Sequence, residues 1–160
     1  MLQQIKLKRY MKIQEAIKQS SFKSNIDMAI VNLLFTSNWL RDHQKTFFAN
    51  YDIKNQHYNV LRILRGRYPD AASPGEIKEV MLDKSPDLTR LIDKLVKQGL
   101  VERFMCEENR RKVDVFITDK GLSQLKDIDH AMKKASGVWS DKLSEDEAGQ
   151  LSELLDKLRG

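Results

Sequence analysis

The stretch Ser85–Gly99, SPDLTRLIDKLVKQG, constrains the fold of this chain more than any other. Leu88, Leu91, Ile92, Leu95 and Val96 recur at i, i+3, i+4, i+7 and i+8, which is the spacing of one buried helix face. The ends are marked as well. Ser85 can accept a backbone N–H as N-cap, Pro86 suits the first helical position, and Asp87 complements the positive end of the helix dipole. Lys97 and Gly99 close the other end, a cation in the last turn and a residue that tolerates positive φ. Opposite the apolar stripe lie Pro86, Arg90, Asp93 and Lys97, flanked by Asp87, Thr89 and Lys94. A short helix with a firm apolar back and this charged front fits the major groove of duplex DNA, and it also fits any solvated surface.

The flanking segments decide between those two. Before it, Ser73-Pro74-Gly75-Glu76 is a capping box with proline at the first helical position, and the helix it starts packs Ile77, Val80 and Met81. Asp83-Lys84 is then a tight turn into the Ser85 helix, so the pair forms a helix-turn-helix. After it come two strand-like runs, Leu100–Met105 and Lys112–Thr118. In the second, Val113, Val115 and Ile117 alternate with Asp114, Phe116 and Thr118. A β-hairpin directly after a helix-turn-helix makes a winged helix, with Arg110, Arg111 and Lys112 at or near the wing tip.

Further helices surround this centre. Residues 1–20 place Leu2, Ile5, Met11, Ile13, Ala16 and Ile17 among lysines, a loosely amphipathic helix suited to packing on another helix or subunit. Ser24 can cap a long helix from Asn25 to Tyr51, striped by Ile26, Ala29, Ile30, Leu33, Leu34, Leu40, Phe47 and Phe48. A helix of that length suits a bridge between lobes or a dimer partner. Gln56–Tyr68 turns Tyr58, Leu61, Leu64 and Tyr68 inward and stops at Pro69. Asp119–Gly137 is helical with Leu122, Leu125, Ile128 and Met132 on one side. The box Ser144-Glu145-Asp146-Glu147 starts a last helix with Ala148, Leu151, Leu154, Leu155 and Leu158 on its stripe. The expected fold is mainly α with a small β-wing. Residues 1–52 and 122–160 would build a helical dimerisation lobe, and residues 53–121 the winged helix.

With 41% hydrophobic and 32% charged residues, the 160-residue chain can bury a core and need not be disordered. Its formal charge of +5 is unevenly spread: residues 1–25 carry +5 and residues 53–121 carry +3, whereas residues 122–160 carry −2. The basic excess favours an anionic partner. The single cysteine, Cys106, excludes an intramolecular disulfide, and the charged start MLQQIKLKRY lacks the apolar run of a signal peptide. The most apolar window, Ala29–Phe35, is too short to span a bilayer. A cytoplasmic location without a membrane partner is expected. His43, His57 and His130 have no zinc-ligand spacing, so neither a metal nor another cofactor is expected. The sequence holds no phosphate loop, dinucleotide fingerprint or nucleophile elbow, and an enzyme is not expected.

Residues 26 to 159 resemble the MarR family of bacterial transcriptional regulators. The resemblance is carried by Asn55-Gln56-His57-Tyr58-Asn59-Val60-Leu61, by Ser85 through Leu95, and by Lys97-Gln98-Gly99-Leu100-Val101. Asn109-Arg110-Arg111 and Ile117-Thr118-Asp119-Lys120-Gly121 complete it. It implies a homodimer on a pseudo-palindromic operator in double-stranded DNA, with the recognition helix in the major groove and the wing in the neighbouring minor groove. The family's wing usually carries Asp-x-Arg. Here the place is taken by Asn109-Arg110-Arg111, which leaves Glu107, Glu108 or Asp93 as partners for Arg111.

Candidate contacts follow. Arg90 suits a bidentate bond to guanine. Thr89 suits a thymine methyl or a phosphate, and Asp87 a cytosine amine or a helix cap. Ser85, Pro86 and Asp93 share that front, and Lys84, Lys94 and Lys97 suit phosphates. Ser73, with the N–H groups behind Pro74, would hold a phosphate at a helix start. Asn109, Arg110, Arg111 and Lys112 suit a narrow minor groove. The resemblance further implies a phenolic or lipophilic effector between lobe and winged helix, where Trp39, His43, Phe47, His57, Tyr58 and Leu61 are candidate lining residues or else ordinary core. The expected function is a DNA-binding repressor released by such an effector. Its rivals are a regulator switched by Cys106 oxidation or by a metal, and a winged helix that binds protein instead of DNA.

Overall fold

A computed structural model describes residues 10–84, 87–105, 113–135 and 142–160. It divides into two compact units, Met1–Ile53 and Lys54–Gly160. Ser85, Pro86, Cys106, Asn109, Arg110, Arg111 and Lys112 lie outside the described residues.

In the first unit the described part of the N-terminal arm is less helical than its composition suggests. Only Ile13–Ala16 (α1) is helical, with Ile13 buried, and Lys18 leaves the helical region at φ 54°. Side-chain spacing over residues 1–20 is too irregular to impose one face, which leaves α1 a single turn. Helix α2, Asn25–Ala49, starts where expected, because Ser24 Oγ accepts the Asp27 N–H at 3.1 Å. At about 1.5 Å per residue its 25 residues span roughly 37 Å. Of its apolar stripe only Phe48 is buried, while Ile26, Ile30, Leu33, Leu34 and Leu40 are exposed.

The second unit runs α3 (Asn55–Arg67), α4 (Pro74–Val80), α5 (Leu88–Lys97), β1 (Val101–Met105), β2 (Val113–Ile117), α6 (Asp119–Ala135) and α7 (Glu145–Arg159). Its core gathers Val60, Leu61 and Leu64 of α3, Ile77 of α4, Ile92 and Leu95 of α5, and Val115 of β2. Leu125 and Ile128 bring α6 onto the same core. Truncating any of the buried leucines to alanine would cost about 2–5 kcal/mol.

Four sequence expectations need correction. Helix α5 begins at Leu88, not at Ser85, because the Asp87 carboxylate takes the capping role and accepts the Arg90 N–H at 3.3 Å. Val96 is exposed, since it lies on the edge of the stripe that Leu88, Leu91, Ile92 and Leu95 bury. Tyr68 is exposed: it precedes Pro69, takes an extended conformation (φ −52°, ψ 133°) and so leaves the inward face of α3. Val80 is exposed because the chain turns extended at Met81, whereas Ile77 and Met81 are buried as expected.

The hairpin is antiparallel, with Val101 opposite Ile117, Arg103 opposite Val115 and Met105 opposite Val113. The free edge of β2 is used once more, by Ala72, which exchanges both backbone hydrogen bonds with Val115 at 3.0 Å. The link from α5 into β1 is closed by residues of the Ile117–Gly121 motif. Gly99 turns at φ +69°, Thr118 Oγ1 donates to the Gly99 carbonyl at 2.8 Å, and Lys120 Nζ donates to the Gln98 carbonyl at 2.7 Å. Gly121 passes so close to the Leu100 carbonyl that a Cβ there would overlap it. Among the described residues no helix is long and apolar enough to cross a membrane.

Candidate nucleic-acid interface

Helix α5 presents its charged side outward because its other side is pinned by Leu88, Leu91, Ile92 and Leu95. Arg90 is 87% exposed and its Nε lies 3.2 Å from Asp87 Oδ2, so the cap that starts the helix also steadies the arginine. Asp87 is thereby committed twice, to the Arg90 N–H and to the Arg90 side chain. Thr89, Lys97 and Lys84 are exposed, and Asp93 and Lys94 are half-buried. Asp93 is held by Arg103 of β1, whose Nη1 donates to Asp93 Oδ1 at 2.8 Å. Ser85 and Pro86 would extend this front but lie outside the described residues.

The start of α4 is already occupied. The Ser73 N–H and hydroxyl both donate to Glu76 Oε2 at 2.8 Å, and Ser73 Oγ in turn accepts the Glu76 N–H at 3.3 Å. Arg67 adds a 3.3 Å ion pair to the same carboxylate. These bonds, from the Ser73 backbone first and then its hydroxyl, hold the Glu76 carboxyl below its ordinary range. A phosphate reaching Ser73 would have to displace Glu76. The connection from α4 to α5 is fixed by Asn59 of α3, whose Oδ1 accepts the Leu82 N–H at 3.0 Å.

On the hairpin, Phe104 and Phe116 meet edge to face at 5.7 Å. The wing candidates Asn109, Arg110, Arg111 and Lys112 fall outside the described residues, as does Cys106.

The six effector candidates fall in different units. Trp39, His43 and Phe47 belong to α2, where His43 Nδ1 lies 2.9 Å from the Trp39 carbonyl and the two rings are 4.4 Å apart. His57, Tyr58 and Leu61 belong to α3 and are buried. His57 Nδ1 accepts the Lys54 N–H at 2.9 Å, which helps cap α3. Tyr58 Oη donates to Asp129 Oδ1 at 2.8 Å, and Arg65 reaches Asp129 Oδ2 at 2.5 Å. This tie joins α3 to α6 beside the buried Leu125 and Ile128.

Arg103, Arg65 and Asp129 take part in polar ties of this unit that the sequence reading does not single out. For Arg103 a signal was present: strand alternation puts it on the face of Val101, the face turned to α5. Asp129 sits next to Ile128 on the shoulder of the α6 stripe, where a carboxylate usually reads as solvated.

Residues 53–113 match the model of the MarR family. A crystal structure of a MarR transcription factor from Planctomyces limnophilus is 33% identical over 85% of this chain and 98% of that one, with a TM-score of 0.67. The chain belongs to the MarR family. Its mostly helical fold with a two-stranded wing is the family's winged helix. Membership makes it a transcriptional regulator and not an enzyme. The chain is also similar to the HTH-type transcriptional regulator PecS of Dickeya dadantii (strain 3937), 25% identical over 157 residues and 94% of each chain. A mutant MarR from E. coli, solved complexed with operator DNA, is 26% identical over 86% of this chain and 99% of that one, with a TM-score of 0.69.

Proposed function

We propose that this MarR-family protein is a homodimeric regulator that binds a pseudo-palindromic operator in double-stranded DNA and represses by occluding a promoter. The observation that carries the reading is the front of α5. Arg90, Thr89 and Lys97 stand clear of the protein on a helix whose back is buried. The likeness to E. coli MarR complexed with operator DNA supports it. In this reading Thr89 and Arg90 meet base edges in the major groove, aided by Ser85, Pro86 and Asp87 at the helix start. Lys84, Lys94 and Lys97 meet phosphates, and Asn109, Arg110, Arg111 and Lys112 enter the adjacent minor groove. Ser73 is a phosphate contact only when Glu76 gives way.

The dimer lobe is drawn from residues 1–52 and 122–160, in keeping with the exposed apolar stripes of α2 and α7, and residues 53–121 are the winged helix. Two-fold symmetry then sets the half-sites about one helical turn, ~10 bp, apart. A phenolic or lipophilic effector, with Trp39, His43, Phe47, His57, Tyr58 and Leu61 as candidate contacts, releases the operator by favouring a conformer whose recognition helices are mis-spaced.

The test is titration of the purified protein with a random-sequence duplex across a range of salt. Log affinity should fall linearly with log salt, with a slope near −0.9 for each phosphate neutralised. Absence of binding at low salt would defeat the DNA reading and leave a winged helix that engages protein.

A further inference from the structure

A carboxylate on the front of α5 works against approach to phosphates, yet Asp93 stands there between Arg90 and Lys97. Its Oδ1 is held at 2.8 Å by Arg103 Nη1. Arg103 is the middle residue of β1, paired with Val115, the residue that also binds Ala72 on its far edge. The ion pair therefore runs from the recognition helix to the best-anchored point of the hairpin. Its side chains are 42% and 44% exposed, so it contributes little to stability. What a planar guanidinium supplies in such a place is direction.

We propose that Asp93 and Arg103 are positioning residues: their ion pair sets the angle between α5 and the wing strands so that both elements fit one duplex. The inference rests on the DNA-binding reading and refines it. It gives Asp93 a structural partner in place of a base contact, with its charge offset by Arg103. The alternative roles predict different behaviour. If Arg103 were a phosphate contact, its loss would lower the salt slope by about one contact. If Asp93 were only an unfavourable charge, its loss would tighten binding to every duplex.

The experiment compares wild type, Asp93→Asn, Arg103→Gln and the double variant. Each is titrated against the duplex that wild type selects from a random pool and against a random-sequence duplex. Each single variant should lower the selected-over-random affinity ratio by about two- to fivefold, and the double variant should lose no more than either. Arg103→Gln should leave the salt slope unchanged. In the free protein, hydrogen exchange at Val101–Met105 and Val113–Ile117 should quicken in both single variants while α6 stays protected. Losses that multiply in the double variant, a salt slope reduced in Arg103→Gln, or unaltered exchange in the strands would overturn the proposal. Wild type that binds no duplex at low salt would instead sink the DNA reading alone, and the exchange measurement would then decide whether the brace exists.

Discussion

Arg90 and Gly121 mark two kinds of constraint on a single residue. Arg90 projects 87% exposed from α5 and rests against the cap residue Asp87, so its replacement removes no core contact. Arg90→Ala should therefore leave the thermal midpoint close to wild type while discrimination between selected and random duplexes falls by about 1–3 kcal/mol. A discrimination left unchanged by the substitution would remove Arg90 from the base contacts. Gly121 is the opposite case, a position where any Cβ meets the Leu100 carbonyl and Ile117 Cγ1 at 2.8 Å. Gly121→Ala should destabilise the fold by about 1–3 kcal/mol, read as a lower urea midpoint. An unchanged midpoint would mean that the α5–β1 link can shift aside.

At the scale of elements, the tie of Tyr58 and Arg65 to Asp129 holds α6 against α3. Partial burial works to raise the Asp129 carboxyl, but the bonds from Arg65 and Tyr58 outweigh it and bring the group below its ordinary value of 3.8. A carboxyl lowered in the folded state stabilises above that value, and the contribution is lost as the pH falls below it. Asp129→Asn should cost about 1 kcal/mol near neutral pH, and the gap between variant and wild type should close at low pH. Urea midpoints at both pH values check this, and a gap that persists in acid would exclude the ion pair as its source. For Tyr58, burial and then the bond to Asp129 raise the phenol above 10, so its contribution is lost only as the pH climbs beyond that value.

Elements were more legible than the ties between them. The caps at Ser24, Ser73 and Ser144 and, apart from Val96, the stripe of α5 are local patterns, and each stands where the residues put it. The start of α5 is ambiguous in the sequence because Ser85 and Asp87 are both good caps; in the structure the Asp87 carboxylate accepts the Arg90 N–H. Asp93–Arg103 and Tyr58–Asp129 join residues 10 and 71 positions apart; strand alternation gives the face of Arg103 but not its partner, and for Asp129 periodicity gives neither.

For the whole molecule, the exposed apolar faces of α2 and α7 depart from what a lone chain in water tolerates. Ile30, Leu33 and Leu34 on α2 and Leu151, Leu154 and Leu158 on α7 recur at helical spacing and stand exposed. Sedimentation of wild type should give twice the mass of the chain, and Ile30→Glu with Leu34→Glu should give a monomer that has lost operator affinity. A wild-type monomer, or a variant that still pairs, would move the dimer contact elsewhere.

The knot at Gly99, Thr118, Lys120 and Gly121 bears on how such a molecule can be switched off. It fastens the end of α5 to the first turn of α6, so that the two move together. In the proposed dimer two such heads would work like the jaws of a caliper: neither jaw bends, and only the gap between them is reset.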